Sequence, residues 1–140
     1  MKKIILFSVF AVLASANSSC SSNQSAYEPT TEVVTGDYKS GYYDKHLNGN
    51  EYEVVYRGLN MNANKAFDLS MLRAAEIAKN KNFKNFVVLS KVSELNKVNQ
   101  KKIQTSALKV ALYNEVPAKY QTYYDAIEEY NRLTKKYKIK

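Results

Sequence analysis

Apolar and polar residues change rhythm several times along this chain, and each rhythm predicts a different element. Tyr52-Glu-Val-Val-Tyr-Arg-Gly58 alternates, placing Tyr52, Val54 and Tyr56 on one face and Glu53, Val55 and Arg57 on the other. Period two is the mark of a strand with one buried side. The preceding run, Tyr42 to Leu47, has the same character, and Asn48-Gly49 between the two predicts a hairpin, because both residues tolerate the left-handed backbone of a tight β-turn. After Gly58 the period lengthens. Phe67, Met71, Ala74, Ala75 and Ala78 recur at helical spacing with Leu72 beside them, predicting a helix capped by Asn62 or Asn64 and running to about Asn82. Lys79 and Lys81 suit the negative end of that helix. Arg73 and Glu76, three apart, predict a surface pair contributing a few tenths of a kcal/mol.

Phe83 to Val92 reads as the next strand, and its continuous apolar core Phe86-Val87-Val88-Leu89 predicts an interior place in the sheet. A helix separates it from the Tyr52 strand, so the two can be parallel neighbours joined by a right-handed crossover. Leu95 to Gln100 then reads as a polar turn, and Lys102 to Val116 as a long strand. In that strand the inward set changes from Ile103, Thr105 and Ala107 to Leu108, Val110 and Leu112. A bulge near Ser106 to Leu108 would produce such a slip. Pro117 ends the strand and can open the last helix, Ala118 to Tyr137. Its stripe is Tyr120, Tyr123, Tyr124, Ile127, Tyr130, Leu133 and Tyr137, with Glu128 and Glu129 on a solvated side. The expected fold is α+β: a two-layer ββαββα domain over residues 41–140, with about four strands and two helices.

Ahead of Gly41 the pattern is of another kind. Met1-Lys2-Lys3, an apolar run from Ile4 to Leu13, and small residues after it form an export signal, too short to stay in a bilayer as a spanning helix. Two cuts compete. Ala14-Ser15-Ala16 would release a soluble periplasmic protein. The other candidate is Cys20, the only cysteine, with Ser18 and Ser19 before it and the polar run Ser21-Ser22-Asn23-Gln24-Ser25 behind it. That layout resembles a bacterial lipoprotein, with residues 1–19 as the signal peptide, Cys20 acylated with fatty acids such as palmitate, and residues 20–40 as a flexible tether. Lipoprotein signals usually carry Leu where this chain has Asn17, so both cuts stay open. Ser21 and Ser22, with no aspartate, resemble the sorting pattern for the outer membrane. Within the tether, Thr31 to Thr35 can form a short strand. A lone cysteine rules out an internal disulfide.

The formal charge of +8, which falls by two when Lys2 and Lys3 leave, is uneven. Lys79, Lys81, Lys84, Lys91, Lys97, Lys101, Lys102 and Lys109 face the single carboxylate Glu94 across their stretch. Such a band is a candidate contact for an anionic surface or an acidic partner, and export argues against nucleic acid.

Catalytic signatures are thin. His46 is the only histidine and Cys20 falls in the tether, which leaves no set of ligands for a metal. Glycines stand only at 36, 41, 49 and 58, with no phosphate-cradling loop and no nucleophile elbow among them. The expectation is a protein that is not an enzyme and has no cofactor and no small-molecule substrate.

Gly41-Tyr42, the strand ending in Arg57-Gly58, Leu72-Arg73-Ala74-Ala75-Glu76, Phe83 to Val88 and Tyr124-Asp125-Ala126 together resemble a family of small, uncharacterised bacterial envelope lipoproteins. The resemblance implies a lipidated protein with an α+β domain. With the residues that follow Cys20, the expectation is a protein at the outer membrane, facing the periplasm, with the membrane as a partner through its lipid and an envelope protein as a candidate second partner. It implies no activity.

Overall fold

The computed structural model describes residues 27–34 and 38–140; the signal peptide, Cys20 and the start of the tether lie outside the described residues. The fold is α+β, in two layers. Its elements are β1 (Gly41–His46), β2 (Glu51–Leu59), α1 (Ala63–Asn80), β3 (Asn85–Val98), β4 (Lys101–Tyr113), β5 (Tyr124–Asp125) and α2 (Ala126–Lys136). The strands form one sheet in the order β1-β2-β4-β3-β5, with every neighbouring pair antiparallel.

The first hairpin follows its pattern. His46 stands opposite Tyr52, and Gly49 between them adopts φ 52, a conformation a side chain at that position would resist. Tyr52, Val54 and Tyr56 line the face beneath α1. Asn62 caps α1, its side-chain oxygen accepting from the Lys65 amide at 2.8 Å. The helix ends in a Schellman turn, in which the Phe83 amide donates to the Ala78 carbonyl and the Asn82 amide to that of Lys79, with Asn82 at φ 63. Ala66, Leu69, Met71, Leu72, Ala74, Ala75, Ile77 and Ala78 are buried. The small residues let the helix axis sit close to the sheet, and Tyr56, Phe86, Leu108 and Leu112 fill the space from below.

Several expectations change here. β2 and β3 are parallel in direction but not neighbours, because β4 lies between them. β4 turns straight back from β3 and pairs with both β2 and β3, taking the centre of the sheet, while β3 has its interior place at Asn85 and Phe86, between β4 and β5. β3 is also longer than expected, and Leu95 to Val98 belong to it. The turn is only Asn99-Gln100, at φ 50 and φ 66 between the paired Val98 and Lys101. Two successive left-handed residues make the type I′ connection. Gln is seldom found there, which is why the turn was hard to see.

The bulge lies on β3, not β4: the register shifts between Val88 and Ser90, leaving Leu89 as the extra residue. β4 keeps one phase, with Gln104, Ser106, Leu108, Val110 and Leu112 all buried. Its alternation was disguised because two of those core positions are polar, while Ile103 and Ala111 are buried on the opposite face. Hydrogen bonds explain the polar pair: Ser106 lies 2.8 Å from Ser70 on α1, and Gln104 Nε2 donates to Ser93 Oγ at 3.0 Å.

The last helix starts at Ala126, eight positions later than its stripe suggested. Asp125 caps it, accepting from the Glu128 amide at 2.9 Å, and Tyr124 is drawn into β5 by pairing with Phe86, on which its ring stacks at 5.3 Å. Tyr120 and Tyr123 thus precede the helix. Glu129, expected in water, is 9% exposed and held by the Arg132 guanidinium. Near the start, residues 31–34 are not a strand; Pro29 alone bridges β1, parallel to it at Tyr42.

Candidate interaction surface

The lysines expected to form one band occupy four different places. Lys79, Lys81 and Lys84 sit at the end of α1 and the start of β3, at one pole of the domain. Lys97, Lys101 and Lys102 surround the β3–β4 turn at the opposite pole. Lys91 lies between the poles, its ammonium 3.8 Å from the Phe67 ring centre. Lys109 is on the far face of the sheet, 3.6 Å from Glu51. Aromatic rings also receive Lys79, 4.2 Å over Tyr130, and Lys81, 5.6 Å over Tyr52, so these two help to hold helix ends in place.

The turn cluster is different. β2 pairs with β4 only from Leu59 opposite Ile103 onwards. Lys101 and Lys102, with their partners Val98 and Lys97, therefore project past the end of β2 as a two-stranded arm. β5 covers β3 only at Asn85 and Phe86, so among the described residues the outer edge of β3 carries no strand beyond them. Lys97 stands directly opposite Lys102, an arrangement that costs stability through like-charge repulsion. Among the described residues, no carboxylate oxygen lies within 4.0 Å of Lys97, Lys101 or Lys102. On the open edge of β3 leading to the arm, Val92 is 50% exposed and Leu95 60%. Leu95 and Val98, apolar residues inside the stretch expected to be a polar turn, are the signal that a strand continues there.

At the β1 edge the structure brings together residues that sequence reasoning kept apart. Arg73 Nε donates to Asp44 at 2.7 Å, its Nη1 to Glu76, and its guanidinium lies 4.4 Å over the Tyr42 ring. Tyr27 donates to the same Glu76 oxygen at 3.2 Å and packs its ring 4.8 Å from Tyr42. Burial favours loss of the Arg73 charge, but the two carboxylates outweigh it and hold the guanidinium firmly protonated. Burial, aided by Glu76, pushes the Tyr27 phenol well above its ordinary range. The Arg73–Glu76 pair is thus the centre of a part-buried network rather than a surface pair, and it ties the incoming chain to α1. Residues 28 to 30 complete the attachment, with Tyr42 donating to the Glu28 carbonyl at 2.9 Å and Thr30 to that of Tyr42 at 2.8 Å. A Cβ on Gly41 would overlap the Glu28 carbonyl oxygen, which is the physical reason for glycine there. Tyr38 is buried as well, so the packed structure begins at Tyr27, inside the stretch grouped with the tether.

His46 closes the first hairpin: its Nε2 lies 2.7 Å from the Gly49 carbonyl and its ring stacks on Tyr52 at 4.7 Å. Asp68 receives Lys136 at 2.8 Å and the Tyr137 hydroxyl, joining α1 to α2. Among the described residues no group of three or more His, Cys, Asp or Glu side chains is placed to hold a metal ion. No described helix is long and apolar enough to cross a membrane. Compared with protein-family models, with curated proteins and with solved structures, the chain matches none of them.

Proposed function

We propose that this protein is a non-enzymatic lipoprotein of the cell envelope, anchored in the outer membrane through Cys20, whose α+β domain binds or scaffolds a partner in the periplasm. The observation that carries the reading is the N-terminal sequence: a charged start, a short apolar run, small residues and one cysteine, seven positions before Tyr27. The resemblance to small envelope lipoproteins points the same way. The polar clusters of the domain support a binding role over a catalytic one, because His46, Arg73 with its carboxylates and Asp68 are each engaged in holding the fold together.

Globomycin treatment, or the change Cys20→Ala, tests the anchor. Each should alter gel migration, and Cys20→Ala should move the protein out of the membrane fraction. Mass spectrometry of the mature N-terminus separates the two cuts, since an acylated Cys20 supports the anchor and an unmodified Asn17 identifies a soluble periplasmic module.

A further inference from the structure

Resting on the anchored reading, we propose that the β3–β4 arm is a second membrane contact, in which Lys97, Lys101 and Lys102 bind the phosphates of anionic phospholipid headgroups while Leu95 and Val98 lean into the interface. Three independent features of the fold meet at this arm.

The first is charge. Three exposed lysines crowd one turn, two of them directly opposed across the strands, with no carboxylate of the described residues in reach. A surface of phosphates removes the repulsion that the fold itself leaves in place. The second is shape. Two paired rungs and a turn extend beyond the last β2 pair; the Asn60 amide still donates to the Lys102 carbonyl at 2.9 Å, and at about 3.4 Å per residue the tip stands roughly 7 Å beyond that bond. Leu95, 60% exposed at the base of the arm opposite Gln104, supplies the apolar component that headgroup regions accept.

The third is direction. Pro29 bridges Tyr42 in parallel, so the segment at 28–30 runs the same way as β1, away from the pole where β2 ends and the arm begins. Tyr27 stands seven positions after Cys20, a stretch that can span at most about 25 Å. A lipid at Cys20 thus keeps the membrane within one domain length of the arm. Lys79, Lys81 and Lys84 lie at the other pole of the domain, at the end of α1 and the start of β3.

The test uses the mature chain, residues 20–140, carrying Cys20→Ser, which has neither the apolar signal run nor an acylation site, so vesicle binding reports the folded domain's own surface. Vesicles of phosphatidylglycerol and phosphatidylethanolamine are compared with pure phosphatidylcholine in a sedimentation assay. Each lysine near an anionic surface strengthens partitioning roughly five-fold, so Lys97→Gln/Lys101→Gln/Lys102→Gln should weaken binding to the anionic vesicles by about a hundred-fold at low salt. Lys79→Gln/Lys81→Gln/Lys84→Gln should change it by less than about three-fold. An unaltered thermal melt of the arm triple excludes unfolding as the cause.

Absence of binding to anionic vesicles, equal loss from both triples, or equal binding to phosphatidylcholine each overturns the proposal. So does a self-associated species that survives the arm triple without any vesicle binding, which would assign the open β3 edge to a second copy of the chain. Vesicle binding by the arm together with an unmodified mature N-terminus would overturn the anchored reading and leave the arm standing.

Discussion

Ser70 and Ser106 join α1 to the central strand across a dry interface, and the number of protons between them makes a sharp prediction. Both are almost wholly buried, at 0% and 1% exposure, with their oxygens 2.8 Å apart. Ser70 Oγ also donates to the Phe67 carbonyl at 2.7 Å. A hydroxyl has one proton, so Ser106 must be the donor within the pair. The two single changes are therefore unequal. Ser70→Ala strands the Ser106 hydroxyl without its acceptor, at a cost of about 1–3 kcal/mol, offset by roughly 0.5 kcal/mol from the better helix propensity of alanine. Ser106→Ala leaves Ser70 still donating to Phe67 and removes one neutral hydrogen bond, about 0.5–1 kcal/mol. The double variant takes both hydroxyls away and should lie within about 0.5 kcal/mol of the better single variant, because no buried polar group is left alone. Urea unfolding followed by circular dichroism measures all four corners, and the coupling should be about 1 kcal/mol in favour of the pair. Equal costs for the two single changes, or strictly additive costs, would refute the assigned direction of donation.

Two further outcomes follow from the β1 edge and the buried phenols. Gly41→Ala should push Glu28 away from β1, speeding amide exchange of Tyr42 and Thr30 at least ten-fold while leaving α1 protected; unchanged exchange at Tyr42 would show that the segment does not depend on the close approach. Burial raises the phenols of Tyr27 and Tyr56, with Glu76 adding to the effect at Tyr27. The folded state thus keeps protons that the unfolded chain releases. Their contribution is complete below the unfolded tyrosine value near pH 10, and above it stability should fall by about 1.4 kcal/mol per pH unit for each. Tyr27→Phe should flatten the urea midpoint's decline between about pH 10 and pH 12, and an unchanged slope would place the Tyr27 hydroxyl in water.

Much of the sheet and its first helix was legible because the signals are local. Alternation along Tyr52 to Gly58, the Asn48-Gly49 turn and the Asn62 cap need only their own neighbours to be recognised. What was misread depended on partners far away. Ser106 and Gln104 look like surface residues until Ser70 and Ser93 are placed beside them. Tyr120 and Tyr123 look helical until β3 offers Phe86 as a pairing partner for Tyr124. The lysines look like one band in sequence, yet strand and helix directions send them to opposite poles.

The sequence by itself determined the α+β class and the core face of α1, since periodicity acts through residues close along the chain. Tertiary structure alone decided that β4 sits between β2 and β3, that Tyr27 fastens the incoming chain to Glu76, and that three lysines stand alone on a projecting arm. Each of these depends on which backbone edge finds which partner. A β-strand presents the same donors and acceptors along both edges, so that choice is made by the packing of the whole chain.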